Sequence, residues 1–219
     1  MEIKPVAHFR SPFKEKFGIP RQSSIVEEIH GYVELDRDFR REEALRGLED
    51  FDYVWLIWEF NLNPSSASSL MVRPPRLGGN EKIGVFASRS PFRPNSLALS
   101  SVKICGVDYQ RGIIEVSGAD LADGTPIYDI KPYVPYADCH EGARGGFTDS
   151  HAIRRLQVDI PPAVVGHFSE TQLAALRKTL ALDPRPHYQN DPQKVYGMPF
   201  EGRDIHFKVE DDRLTVLDD

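Results

Sequence analysis

The chain has 219 residues, 40% hydrophobic and 27% charged, with a net charge of −6. That is enough for one sizeable domain, or a domain with a small appendage. No stretch approaches about 18 consecutive apolar residues, and Met1–Pro12 holds no long apolar run, so neither a membrane span nor a signal peptide is expected and the cytoplasm is the expected location. Cys105 and Cys139 are spaced as neither a metal knuckle nor a redox pair, which points to ordinary thiols in a reducing compartment. The acidic mean charge argues against nucleic acid as a partner. The distribution argues the other way, because cations crowd two segments: Arg10, Lys14, Lys16 and Arg21, then Arg73, Arg76, Lys82, Arg89 and Arg93.

In chain order, Val6–Phe9 reads as a strand. Ser11–Gln22 follows as a long loop with two aromatics, and loops of that length are either functional or mobile. Ile25–Leu35 reads as the next strand. Glu42–Leu48 reads as a short helix, with Leu45 and Leu48 at i, i+3 spacing. Tyr53–Phe60, apolar on both faces apart from Glu59, predicts a central, buried strand. Arg73–Asn80 and Gly84–Ser96 set arginines beside prolines, and a rigidly held arginine is a directional fork for carboxylate or phosphate. Between and after them, Ile83–Ala87, Leu99–Val107 and Ile113–Val116 read as strands.

In Leu121–Asp138, an Asp123-Gly124 turn leads into an extended run in which Asp129, Lys131 and Tyr133 share one side. Leu156–Ile160 is a further predicted strand. Ser169–Leu182 is a predicted helix with an S-x-x-Q capping box, Ser169 and Gln172, and Leu173, Leu176 and Leu180 along one face. A hairpin of Asp204–Val209 and Arg213–Leu217 closes the chain. Many short strands with Gly/Pro turns predict a mainly β fold. The expectation is a β-barrel core over residues 1–162 with a small α+β C-terminal module over 163–219.

No G-x-G-x-x-G follows a strand, so a Rossmann nucleotide site is not expected. There is no P-loop, H-E-x-x-H or G-x-S-x-G, and the seven histidines lack metal-ligand spacing, so no metal is expected.

The runs PFKEKFGIPRQ, VRPPRLGGN, GVFASRSPFRPNS, DGTPIYDIKPYVPYAD and DPRPHY, in that order, resemble the tRNA N6-threonylcarbamoyladenosine (t6A) methyltransferase family, TrmO. The resemblance implies a β-barrel methyltransferase that binds S-adenosylmethionine and works as a homodimer. It implies methylation of N6 of t6A at position 37, beside the anticodon, with the C-terminal module engaging tRNA. It implies cofactor contacts at Pro20, Arg21, Gln22, Asn61, Leu62, Arg89, Leu99, Asp123, Gly124 and Thr125. Two departures stand out: Asn61-Leu62 where relatives read H-Q, and Ala98 where many carry glycine.

Within that frame the candidate catalytic groups are Asp129, Lys131 and Tyr133, with Asp129 first as proton acceptor. Candidate RNA contacts are Lys14, Lys16, Arg73, Arg76, Arg93, Asn95, Arg185 and Tyr188. A small-molecule or protein acceptor, or a module that binds without turnover, stays open as an alternative.

Overall fold

The computed structural model describes residues 2–63, 69–78, 80–151, 153–186 and 191–218. Its strands are β1 (Ala7–Arg10), β2 (His30–Leu35), β3 (Tyr53–Glu59), β4 (Met71–Val72), β5 (Ile83–Gly84), β6 (Leu97–Asp108), β7 (Ile113–Ser117), β8 (Pro126–Pro132), β9 (Gln157–Asp159), β10 (Tyr196–Phe200), β11 (Arg203–Glu210) and β12 (Arg213–Val216). The helices are α1 (Glu42–Leu45), α2 (Pro135–Asp138), α3 (Phe147–Ser150), α4 (Pro162–Val165) and α5 (Glu170–Ala181).

Six strands close into a barrel in the order β1-β2-β7-β6-β3-β8. β3 lies between β6 and β8 and is antiparallel to both. Its side chains alternate. Val54, Leu56 and Trp58 fill the interior, while Tyr53, Trp55 and Ile57 are half-buried on the outside. The strand is therefore central as expected, but buried fully on one face only. Phe9, Val33, Val102, Ile114, Val116 and Ile127 complete the interior. Closure leaves the barrel no free edge, so every strand's backbone pairs without a partner chain.

A second sheet, in the order β10-β11-β12-β9, packs under α5. α5 begins as its sequence demands: Ser169 accepts the Gln172 backbone N–H, and the Gln172 side chain accepts the Ser169 N–H. β9 runs parallel to β12, so the predicted strand Leu156–Ile160 belongs to this sheet and not to the barrel. The second module thus draws on residues before the expected boundary at 162/163.

Three predicted elements are shorter than expected. Only His30–Leu35 of the predicted strand Ile25–Leu35 is extended. Only Ile83–Gly84 of Ile83–Ala87 pairs, and Val85–Ala87 turns into a 3-10 helix. The predicted helix Glu42–Leu48 stops at Leu45, and Gly47 at φ 87 opens a separate 3-10 turn.

The long loop is firmly held. Phe13, Val26 and Ile29 are buried in the core of the C-terminal module, with Phe17, Ile19 and Ile25 packed beside them. Phe13 meets Phe200 at 5.6 Å, and Phe17 stacks on Phe207 at 6.4 Å. Gly18, at φ +92, seats its Cα so close to Met198 that an added Cβ would lie 2.2 Å from the sulfur. Only glycine satisfies both demands.

Candidate active site

The loop of residues 11–29 runs beside the segment that joins β7 to β8. Backbone bonds tie them at intervals: Gly118 N–H to Ile29 O and Ser24 N–H to Gly118 O, then Asp123 N–H to Phe13 O and Gly124 N–H to Phe9 O, all 2.8–2.9 Å. Gly118 is at φ +75, and a Cβ there would stand 3.3 Å from Ser24 Cα. This pairing brings Pro20-Arg21-Gln22 towards the same end of the barrel as Asp123-Gly124-Thr125.

Several expected cofactor residues meet at that end. The Arg89 guanidinium donates to Gln22 Oε1 at 2.5 Å. The buried Thr125 hydroxyl donates to Asn61 Oδ1 at 3.4 Å. Asp123 Oδ1 accepts the Ser11 N–H at 3.1 Å, and Gly124 turns the chain at φ +74. Pro20 is buried, and Leu62 is exposed at the end of β3. Leu99 does not enter the barrel. It lies on the outer face of β6, opposite Ile57, and is 53% exposed.

Asp129 pairs with Ile57 from the other side, so Leu99, Ile57 and Asp129 form one outward row over three strands. A register shift beside Ile57 and Trp58 keeps Ile127 inside while sending Asp129 out. Lys131 Nζ is 2.8 Å from Asp129 Oδ2, and Asp129 Oδ1 accepts the Ile130 N–H at 3.0 Å. Tyr133 sits against Trp55 at 5.6 Å and Tyr53 at 6.2 Å. The acid, amine and phenol expected in one row are therefore on the outer wall, but they run away from the barrel end that carries Asn61 and Thr125: Asp129 is nearest to it, and the Tyr133 N–H bonds to Tyr53 O at the opposite end of β3. Ala98 lies in regular strand opposite Trp58 and is not among the residues at positive φ, so its backbone conformation does not demand a glycine.

A carboxylate that sequence reasoning missed lies deeper. The Trp58 indole N–H donates to Ser100 Oγ at 2.9 Å, and Ser100 donates to Asp120 Oδ1 at 2.6 Å. The Ser24 N–H bonds to Gly118 O at 2.8 Å, which lays the Gln22 loop beside Asp120, and the positive charge of Arg89 favours the ionised carboxylate. Burial outweighs these helpers and pushes the Asp120 carboxyl up to about 6. A sequence signal exists: Asp120 is the one charge in the small, apolar run Val116–Ala122.

The expected RNA contacts divide. Lys14, Lys16, Arg73 and Asn95 are exposed. Arg93 is half-buried and donates to Ser88 O at 3.3 Å, and Arg76 is half-buried with a sequestered Nε. Arg185 departs from the expectation of a surface cation. It is buried and forks onto Asp183, Nε–Oδ1 at 2.8 Å and Nη2–Oδ2 at 2.9 Å, because the Asp183–Pro184 turn folds it back under α5. A cavity of about 340 Å³ beside this turn is lined by Lys16, Phe17, Pro20, Arg21, Thr179 and Asp183 among others. Tyr188 lies outside the described residues.

Comparison with known proteins decides the family. The model of the tRNA-methyltransferase O N-terminal domain matches residues 8–139, and that of the TrmO C-terminal domain matches residues 154–218. The chain belongs to the TrmO family. A relative from Escherichia coli named tRNA (adenine(37)-N6)-methyltransferase is 34% identical, over 99% of this chain and 96% of its own length. A Pseudomonas aeruginosa relative, RcsF, named for S-adenosylmethionine-dependent methyl transfer, is 39% identical over 99% and 96% of the two chains. A crystal structure of TrmO from Pseudomonas aeruginosa superposes with a TM-score of 0.81 at 34% identity, covering 100% of this chain and 95% of the other.

The residues present fit S-adenosylmethionine. Arg89 suits a carboxylate, and Gln22, Asn61 and Thr125 offer the amides and hydroxyl that a purine nucleoside needs. Among the described residues no group of three or more acidic, histidine or cysteine side chains could hold a metal ion.

Proposed function

We propose that this TrmO protein transfers a methyl group from S-adenosylmethionine to N6 of threonylcarbamoyladenosine at position 37 of tRNA, acting as a cytoplasmic homodimer. The observation that carries the reading is the convergence of Gln22, Arg89, Asn61 and Thr125 at one barrel end, beside the outward row of Leu99, Ile57 and Asp129. Exposed apolar side chains, Leu70, Met71, Phe86, Phe92 and Leu99, support a partner subunit over that region.

When bound, S-adenosylmethionine supplies an electrophilic methyl group on a sulfonium. The protein's part is alignment and proton removal. Gln22, Arg89, Asn61, Thr125 and the Asp123-Gly124 turn hold the donor, and alignment alone lowers a barrier by up to roughly 7–11 kcal/mol. The carbamoyl group on N6 acidifies its proton, so a modest base suffices. Asp129 takes that proton on a carboxylate oxygen, oriented by Lys131 and by the Ile130 N–H. Lys131 or Arg93 grips the threonyl carboxylate or a phosphate, and Tyr133 packs on Trp55 farther along the wall, past Lys131. Lys14, Lys16, Arg73, Arg76 and Asn95 track the single-stranded anticodon loop, with the target base out of its stack.

The test offers labelled S-adenosylmethionine with two substrates, a tRNA carrying t6A and the same transcript unmodified. Transfer to the modified tRNA alone is expected. Transfer to neither, with the cofactor still bound, would direct the chemistry to another acceptor. Asp129→Asn is expected to bind S-adenosylmethionine normally and to lose roughly 10²–10⁴ in turnover. Full turnover by that variant would remove Asp129 as the base.

A further inference from the structure

We propose that Asp120 is a positioning residue: it holds the Arg89–Gln22 pair over the end of the barrel and so sets the affinity for S-adenosylmethionine. The proposal rests on the reading of this end as the cofactor site.

The pair refers to this one carboxylate through Arg89. Arg89, anchored on an exposed loop, carries its positive charge next to Asp120. Gln22 is held over the same segment, since Ser24, two residues on, donates its N–H to Gly118 O at 2.8 Å and its hydroxyl to Ser101 O at 3.4 Å. Behind Asp120 the rotamer is set by the barrel interior. Ser100, 2% exposed, donates at 2.6 Å and is itself oriented by the Trp58 indole at 2.9 Å. Hydrogen bonds fix Trp58–Ser100–Asp120 to the barrel, and the Asp120 charge acts from there on the Arg89–Gln22 pair, two loop side chains that have no rigid element of their own. A hydrogen-bond acceptor alone would satisfy Ser100. A charge is needed only for Arg89, and an ionised carboxylate in a water-poor site is costly unless something uses it.

The test measures S-adenosylmethionine affinity by calorimetry for the wild type, Asp120→Asn, Arg89→Met and the double variant, with kcat and KM from tRNA methylation. Asp120→Asn is expected to weaken binding about tenfold. KM for the cofactor should rise in step, with kcat at saturation nearly unchanged. The double variant should bind no worse than Arg89→Met alone, because the two substitutions break one connection. Wild-type affinity in Asp120→Asn, or fully additive losses, would overturn the proposal while leaving the cofactor site intact. A wild type that does not bind S-adenosylmethionine would overturn the site reading and the proposal together. Should Asp120→Asn fail to fold, Ser100→Ala frees the carboxylate without removing its charge. Its expected loss is about threefold, and unchanged binding by Ser100→Ala would then refute the positioning role.

Discussion

Alanine in place of Arg185 is expected to destabilise the protein by roughly 3 kcal/mol, a loss of the size seen when one partner of a buried ion pair is removed. The side chain is 9% exposed and makes two parallel bonds to Asp183, whose own side chain is 28% exposed. Asp183 sits at φ 53, in the left-handed region that a non-glycine residue rarely adopts. The fork therefore pins a strained turn as well as a charge. Without it, Asp183 keeps Arg21 as a neighbouring cation, and Arg21 is already disfavoured by its own burial. The loss is to be read as a lower urea midpoint at unchanged slope. A variant of full stability but weaker tRNA binding would instead restore Arg185 to the RNA surface.

The second large effect is a pH dependence. The stability of Asp120→Asn relative to wild type is expected to rise by roughly 2 kcal/mol between about pH 4 and pH 7. Burial raises the Asp120 carboxyl from 3.8 to about 6 in the folded protein. Over that window the folded state keeps a proton that the unfolded chain has released. Wild-type stability must fall as pH rises through it, while a neutral asparagine feels nothing. Below about pH 4 both side chains are neutral, and above about pH 7 the wild-type penalty is complete, so the difference is flat on either side. The full shift would give nearly 3 kcal/mol at about 1.4 kcal/mol per unit, less a part for the water this half-buried group still meets. Taking the difference between two proteins cancels every other titrating group. A difference that does not change across the window would show that Asp120 is as well solvated folded as unfolded.

The elements legible in the sequence are those whose signal is local. α5 is announced by its capping box and leucine stripe, and β3 by its apolar run. The C-terminal hairpin follows from alternation, since Ile205, Phe207 and Val209 all face one core. The misses have tertiary causes. Ile25, Val26 and Ile29 are apolar because the C-terminal core covers a loop, which alternation alone mimics as strand. β10 went unread because Gly197 and Pro199 interrupt it, and its place at the sheet edge is what tolerates the proline. Motif resemblance singled out Gln22, Arg89 and Thr125, which the fold brings to one end of the barrel. Asp120 carries no motif: its weight comes from Ser100 and Trp58, 20 and 62 positions away along the chain.

One feature of the architecture reaches beyond a single molecule. Residues 11–29 leave the barrel after β1 and return at β2, yet Phe13, Val26 and Ile29 are buried among side chains from the far end of the chain. The barrel and the C-terminal module consequently share one packed core segment. A recombination near residue 150 that exchanged the C-terminal module for a foreign one would set Phe13, Phe17 and Gly18 against an unfamiliar surface. Such a hybrid inherits the loop of residues 11–29 from one ancestor and that loop's foundation from another. Grafting a foreign C-terminal module therefore calls for compensating changes within residues 11–29.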